Sequence, residues 1–151
     1  MDSQWTDDDR TTWLTLLRTF SLVNRQLSAD MEQQHQIPMA WYDVLIHLYH
    51  APAQGWQMQE LAGQAMMSNS GLTRLVDRII EAELVERKPC ADDRRVIYIT
   101  LTPVGYAKIE AIFPPHQARV QAYFLSHLLP EEKSTLTTAF GRILDQFNQK
   151  E

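Results

Sequence analysis

The residues best suited to hold an anionic partner are two neighbouring arginines past the middle of the chain. They lie in the segment CADDRRVIYITLTPVG, from Cys90 to Gly105, where two aspartates directly precede Arg94 and Arg95. A guanidinium group is planar and permanently charged, and it binds phosphate through paired hydrogen bonds. The alternating apolar residues that follow are typical of a strand. The segment is therefore predicted to present two cations beside a strand.

The overall charge of the chain, −5 at pH 7, argues weakly against nucleic acid as the partner. The charges are unevenly placed, however. Residues 37–73 contain two acids and no Lys or Arg, whereas residues 74–95 contain six acids and six Lys or Arg residues. Because the local field matters more than the total charge, acidity does not exclude DNA binding.

Length and composition are those of one compact soluble domain, with 151 residues of which 44% are hydrophobic. The single cysteine, Cys90, permits no internal disulfide, which favours a reducing, cytoplasmic setting. The first ten residues are acidic and polar, unlike a signal peptide, and no run of about eighteen apolar residues occurs. We therefore expect a cytoplasmic protein without a membrane span.

Helical periodicity dominates the first half of the chain. Apolar residues recur every three or four positions from Trp13 to Met31, after Thr6 as a cap and three aspartates in the first turn. This helix is expected to end near His35, and a second follows Pro38. After the loop APAQG, a short third helix is predicted from Gln57 to Met66.

A fourth helix, running to about Ala82, carries the polar residues that could read DNA. Its apolar stripe faces a core, while its other face has short hydrogen-bonding side chains and an arginine. These are Ser68, Asn69, Ser70, Thr73 and Arg74, with Ser68 or Asn69 as the cap. Such a face suits contacts in a DNA groove, although an ordinary capped surface helix is the alternative.

A β-hairpin is predicted next, since two strand-like runs, Leu84 to Lys88 and Val96 to Leu101, flank the polar residues PCADD. Two helices, then a helix-turn-helix, a hairpin and further helices form a winged helix-turn-helix with helical extensions. The expected fold class is mainly α with a small β-hairpin wing.

The C-terminal third is predicted to form two more helices. Thr102 and Pro103 suit the start of a fifth helix, which Pro114 and Pro115 are expected to kink or interrupt. Pro130 opens a sixth helix with an apolar stripe. The wide apolar faces of the first and last helices predict a homodimer, the alternative being that they fold back on the winged domain.

The chain resembles the MarR family of bacterial transcriptional regulators in five short motifs that occur in order. These are ELA (Glu60 to Ala62), TRLVDRI (Thr73 to Ile79), LVER (Leu84 to Arg87), DDRR (Asp92 to Arg95) and LTPVG (Leu101 to Gly105). The chain departs from the family pattern at Glu83, where a glycine is usual, and at Gln57 and Met58, where Ser or Thr often caps the third helix.

The resemblance implies one MarR-type domain over residues 1–151, with a winged helix-turn-helix core at about 38–102 and dimerisation helices at about 6–35 and 103–149. It implies a homodimeric repressor that binds a pseudo-palindromic double-stranded DNA operator and is released by a small ligand. In the wing it implies that Arg95 enters the minor groove, that Asp93 positions its guanidinium, and that Arg94 faces phosphate. A surface ion pair without function is the alternative for these arginines.

A ligand site is expected where the first two helices meet, because family members often bind ligands there. The candidate residues are Trp13, Trp41, Tyr42 and His116, and the expected effector is a small, anionic aromatic compound. Core packing is the alternative for most of this group. A metal sensor using His47, His50 and His116 is less favoured, and no metal or cofactor is expected. Cys90 lies in the wing, whereas peroxide-sensing relatives carry their reactive thiol on the first helix.

No motif for catalysis is found, since the chain lacks a serine elbow, a glycine-rich phosphate loop and a Cys–His pair at suitable spacing. We therefore expect no enzymatic activity. The remaining alternative is a winged-helix module that binds other proteins and has no specific DNA binding.

Overall fold

A computed structural model describes residues 5–65 and 67–148. The helices are α1 (Asp7–His35), α2 (Met39–Tyr49), α3 (Met58–Gln64), α4 (Asn69–Glu81), α5 (Pro103–Tyr123), a 3-10 turn (Leu125–His127) and α6 (Pro130–Asn148), and the strands are β1 (Trp56–Gln57), β2 (Val85–Pro89) and β3 (Ile97–Leu101). The predicted fold class is confirmed. Met66, the predicted end of the third helix, and residue 149, the predicted end of the last, lie outside the described residues.

The described residues form two compact units. The larger unit, residues 24–116, contains the helix-turn-helix and the hairpin. The smaller unit, residues 5–23 and 117–148, contains the start of α1, the end of α5 and the whole of α6. Within the described chain, every helix is too short or too polar to cross a membrane.

The core of the larger unit is built from the apolar faces of its helices and of β3. Leu45 of α2, Leu72 of α4 and Ile109 of α5 are each fully buried, as is Leu61 of α3. Burying such a side chain contributes about 1.5–3 kcal/mol. Because α4 buries its apolar stripe here, its polar face is left exposed to solvent.

The sheet has the order β1-β3-β2, and both pairings are antiparallel. Val85 pairs with Leu101, and both are buried on the core side. Lys88 pairs with Tyr98, and side chains at these positions lie on the opposite face because strand residues alternate. The hairpin was predicted to within one residue. The two-residue β1 was missed, because so short a strand shows no periodicity.

The turn between α4 and β2 uses a non-glycine residue in the left-handed region. Glu83 has a φ of 59°, as its position in the family pattern requires. Its N–H donates to the carbonyl of Ile80 at 2.8 Å, and its own carbonyl accepts the Thr102 hydroxyl at 2.6 Å. A left-handed conformation costs a non-glycine residue about 1–2 kcal/mol, which these contacts offset in part.

The starts of three helices show how side chains replace missing backbone partners. In α1 the Thr6 hydroxyl accepts the Asp9 N–H at 3.1 Å, and the Asp9 carboxylate accepts the Thr6 N–H at 2.9 Å. In α3 the Glu60 carboxylate accepts the Gln57 N–H at 2.8 Å, so a glutamate supports this start in the absence of a Ser or Thr cap. The Thr102 hydroxyl accepts the Gly105 N–H of α5 at 3.0 Å, as predicted.

The predicted interruption of the fifth helix by Pro114 and Pro115 is wrong, because α5 is continuous across both prolines. Each proline removes one backbone donor, but its fixed φ is compatible with a helix. The preceding turns are anchored by Ile109 and Ile112, which are fully buried. Packing of this face therefore maintains the helix despite the lost hydrogen bonds.

Candidate nucleic-acid interface

Helix α4 presents its polar face because its opposite face is fully anchored. Leu72, Val76 and Ile79 are completely buried. The helix begins at a side-chain cap, in which the Ser68 hydroxyl accepts the N–H of Gly71 at 3.2 Å. Of the two predicted caps, Ser68 is therefore the one used.

The exposed face of α4 consists of Asn69, Ser70 and Arg74, with Thr73 beside them. Thr73 donates its hydroxyl hydrogen to the carbonyl of Asn69 at 2.8 Å. Ser70 and Arg74 are four residues apart and so lie on the same side of the helix. Among the described residues, Arg74 has no ion-pair partner, and its guanidinium is available to a ligand.

The tip of the wing is closed by backbone hydrogen bonds. The N–H of Cys90 donates to the carbonyl of Val96 at 2.8 Å, and the N–H of Val96 donates to the carbonyl of Asp93 at 2.9 Å. The turn between them carries Arg94 and Arg95, and both side chains are exposed. The hairpin thus holds two arginines at its outermost point.

Both carboxylate oxygens of Asp93 accept hydrogen bonds from Arg95. Its Oδ1 accepts hydrogen bonds from the backbone N–H of Arg95 at 3.0 Å and from Nε at 3.1 Å, while Oδ2 accepts one from Nη2 at 3.2 Å. These bonds, the side-chain ones first, hold the pKa of Asp93 below its usual value, so the carboxylate stays ionised at neutral pH. The Arg95 side chain is nevertheless 91% exposed. Its guanidinium is oriented without being covered.

A further ion pair, which the sequence did not predict, joins α4 to the wing. Nη2 of Arg87 in β2 lies 2.7 Å from Oδ1 of Asp77 in α4. Both side chains are about half exposed, so the pair contributes at most about 1 kcal/mol to stability. Its effect is to link the orientation of the hairpin to that of the helix. The sequence does not reveal this ion pair, because residues ten apart come into contact only once the hairpin folds against α4.

Two of the predicted ligand-binding residues are brought together in the larger unit. The rings of Tyr42 and His116 have centroids 4.3 Å apart and are tilted by 45°. Burial, with a smaller effect of nearby Asp43, raises the pKa of the Tyr42 hydroxyl to about 12. Tyr42 therefore acts as a neutral hydrogen-bonding group.

Two further basic groups, Lys108 and His35, interact electrostatically in a chain that ends at His116. Nζ of Lys108 donates to the backbone carbonyl of His35 at 2.8 Å. Burial, and then the charge of Lys108, lower the pKa of His35. Burial, and then His35, lower the pKa of His116. His35, Lys108 and His116 therefore form a group of basic side chains, and the carboxyl group of Asp43 lies near Tyr42. The sequence did not predict His35 or Lys108, because they are distant from His116 along the chain.

The other two predicted ligand-binding residues have different surroundings. Trp41 is partly buried and packs against the core of the larger unit. Trp13 belongs to the smaller unit and is 47% exposed. Within the described chain, no group of three or more His, Cys, Asp or Glu side chains has an arrangement that could hold a metal ion.

Comparison with known proteins gives one consistent family. A model of the MarR family matches residues 35–96. The HTH-type transcriptional regulator MhqR of Bacillus subtilis (strain 168) is 27% identical over 141 residues, which cover 91% of this chain and 94% of MhqR.

Two solved structures share the whole fold. AbsC, a MarR family transcriptional regulator from Streptomyces coelicolor, superimposes with a TM-score of 0.91 and 30% identity, covering 97% of this chain and 99% of AbsC. Sco3205, a MarR family regulator from the same organism solved in complex with DNA, has a TM-score of 0.89 and 23% identity, covering 97% and 91% of the two chains. The chain belongs to the MarR family of winged-helix, DNA-binding transcriptional regulators.

Proposed function

We propose that this regulator is a homodimeric repressor that binds a pseudo-palindromic operator and is released by a small anionic aromatic ligand. The observation that carries the DNA-binding mode is the exposed Arg95 guanidinium held by both oxygens of Asp93. A side chain that is already oriented loses less conformational entropy on binding than a free one. The wing therefore inserts Arg95 into the minor groove.

Helix α4 reads the adjacent major groove in this proposal. An arginine forms paired hydrogen bonds with guanine, and short hydroxyl or amide side chains bind several base edges. Arg74, Ser70 and Asn69 supply these groups, and the methyl group of Thr73 suits the methyl group of thymine. Ser68 supports the helix start as its cap, and a DNA phosphate is favoured at this N-terminal end of α4. Arg94 contacts phosphate.

The test of specific binding is a mobility-shift assay on promoter DNA selected by the protein itself, with random DNA as competitor. We expect the selected DNA to be bound at least about a thousandfold more tightly than the competitor at physiological salt. Equal affinity for selected and random DNA would contradict specific regulation and favour the protein-interaction module instead.

Dimerisation is proposed from the apolar surface of the smaller unit. Phe20 is 68% exposed, Leu144 57% and Phe147 65%, and further exposed apolar side chains accompany them on α1 and α6. Large apolar side chains exposed in such number are typical of an interaction site. A second copy of the same chain covers it, in keeping with the two-fold symmetry of a palindromic operator.

The dimer prediction is tested with a charge placed in this surface. Leu144→Glu should raise the dimer dissociation constant by at least about tenfold, because a carboxylate would be buried without a partner. Gln146→Glu introduces the same charge at another exposed position of α6 and serves as the control. Sedimentation equilibrium measures both. A parent protein that is monomeric at micromolar concentration would overturn the proposal.

The effector is proposed from the electrostatics around Tyr42 and His116. An aromatic ring packs against their rings, and a carboxylate pairs with the Lys108 ammonium and with His35 and His116 when these are protonated. Trp41, which packs against the core of the larger unit, provides further apolar surface of the ligand site. Binding releases DNA to the extent that the ligand prefers the conformation that does not fit the operator.

The effector prediction concerns pH. The two histidines have lowered pKa values and are largely neutral at pH 7.5, and a bound carboxylate favours their protonated forms. The potency of benzoic acids in releasing DNA should therefore increase as the pH falls from about 7.5 to 6, by up to about tenfold per unit for one linked proton.

His116→Gln should weaken this pH dependence, whereas His127→Gln, outside the proposed site, should leave it unchanged. A matching loss of pH dependence in both variants would show that the effect does not arise at His116. Trp41→Ala should reduce the ligand response more than DNA affinity; equal loss of both, with lower thermal stability, would assign Trp41 to the core alone.

A further inference from the structure

The polar face of α4 contains an acidic residue, Asp77, that the proposed DNA contacts do not use. Asp77 follows Thr73 by four residues and Ser70 by seven, so the three side chains lie on one side of the helix. Its side chain is 50% exposed. A carboxylate on the side of α4 that faces DNA repels the phosphates of a bound duplex. Without a compensating cation, Asp77 would therefore oppose DNA binding.

Arg87 supplies such a cation from the hairpin. Its Nη2 donates a hydrogen bond to Oδ1 of Asp77 at 2.7 Å. Arg87 is paired with Ile99 across the strands and lies on the same face of the sheet as Val85, and both of these neighbours are buried. Because the buried neighbours fix the backbone of β2 beside α4, the guanidinium of Arg87 reaches Asp77 in the absence of DNA.

Arg74 is the cation within α4 that could pair with Asp77 instead. Side chains three residues apart on a helix are neighbours, whereas those of adjacent residues, such as Asp77 and Arg78, point in different directions. In the structure Asp77 is paired with Arg87, and among the described residues Arg74 has no ion-pair partner. We propose that Arg87 neutralises Asp77 on the polar face of α4 and so leaves the charge of Arg74 available to DNA.

This inference rests on the proposed function, because it assumes that the polar face of α4 contacts DNA. The ion pair also links the hairpin to α4, and that link is lost whether Arg87 is replaced alone or together with Asp77. Only the replacement of Arg87 alone leaves an unpaired carboxylate on the helix. A comparison of these two variants therefore isolates the effect of the charge of Asp77.

The test measures the affinity of Arg87→Met and of the double variant Asp77→Asn/Arg87→Met for DNA selected by the parent protein. At about 50 mM salt, Arg87→Met should bind at least about fivefold more weakly than the double variant, which should bind within about twofold of the parent. An unpaired carboxylate offsets one cation of the interface. The slope of log affinity against log salt should therefore be smaller in Arg87→Met by about one per site.

The matched control is the ion pair between Lys88 and Glu86 in the same strand. Nζ of Lys88 lies 2.8 Å from Oε1 of Glu86, and both side chains are exposed to a similar extent as Arg87 and Asp77. They lie on the opposite face of the hairpin from Arg87. Lys88→Met and Glu86→Gln/Lys88→Met should differ in affinity by less than about twofold. All four variants should unfold near the temperature of the parent, since exposed ion pairs contribute little to stability.

Equal weakening in Arg87→Met and in Asp77→Asn/Arg87→Met would overturn the inference. Arg87 would then act by contacting phosphate or by orienting the hairpin, because removal of the carboxylate would have restored nothing. Equal affinity of the parent for selected and random DNA would reject the proposed function, and this inference with it. Specific binding by the parent, without a difference between the two variants, would reject this inference alone.

Discussion

Gly105→Ala should destabilise the protein by at least about 3 kcal/mol, the largest effect we expect from a single methyl group. Gly105 lies in the first turn of α5, where that helix crosses the start of β2. A Cβ atom there would lie 1.9 Å from the carbonyl oxygen of Leu84 and 3.2 Å from a methyl group of Leu101. Neither neighbour can withdraw cheaply, because one is backbone and the other is buried.

The clash would also break the joint between the wing and α5. The carbonyl of Leu84 accepts the N–H of Thr102 at 3.1 Å, and the Thr102 hydroxyl caps the helix through the N–H of Gly105. Moving Leu84 away from a new side chain removes the first bond, and moving α5 weakens the second. The close approach of these two segments therefore explains why the LTPVG motif has a glycine at position 105.

The matched control is Gly63→Ala in α3, where an added Cβ meets nothing within 4 Å. It should stabilise the protein by about 0.5–1 kcal/mol, since alanine is the better helix former. Urea unfolding at one fixed protein concentration measures both variants, because dimer formation makes stability depend on concentration. A Gly105→Ala protein as stable as the parent would refute the close approach of α5 to β2.

Elements with strong periodicity or a defined cap were predictable from the sequence. The ends of α1, the start of α5 at Pro103 and the hairpin agree with the structure to within one residue. Glu83 was identified as a departure from the family's glycine that left the turn geometry open, and its φ of 59° shows that it adopts the left-handed conformation. Local rules failed at Pro114 and Pro115, where buried isoleucines on the same helix outweigh the cost of two prolines.

The contacts within the candidate sites were harder to predict than the helices and strands, because these contacts join segments that are distant along the chain. The contact between Asp93 and Arg95 was implied by the family resemblance, and the structure contains it. The Asp77–Arg87 pair and the basic groups around His116 were not, since they arise only when helices and hairpin pack together.

Arg95→Ala should weaken operator binding by about 1–3 kcal/mol per site, which is roughly five- to 150-fold. The minor groove of A·T-rich DNA is narrow and strongly negative, and a planar cation inserted there is held by that potential. Because Asp93 already orients the guanidinium, the Arg95 side chain of the parent protein should lose little conformational entropy when it enters the minor groove. The loss should be larger on A·T flanks than on G·C flanks.

Two neighbouring substitutions distinguish this role from a general cation effect. Asp93→Ala should resemble a milder Arg95→Ala, because the charge remains but its orientation is lost. Arg94→Ala should weaken binding to all sequences alike and lower the slope of log affinity against log salt by about one. In the proposed dimer two wings contact each operator, so both effects should count twice.

The most direct test is the affinity of the parent and of Arg95→Ala for operators with A·T or G·C flanks, measured from about 50 to 200 mM salt. We expect the parent protein to bind operators with A·T flanks more tightly than operators with G·C flanks. Arg95→Ala should lose both affinity and this preference, whereas Arg94→Ala should keep the preference. Unchanged affinity and flank preference in Arg95→Ala would show that the wing does not read the minor groove.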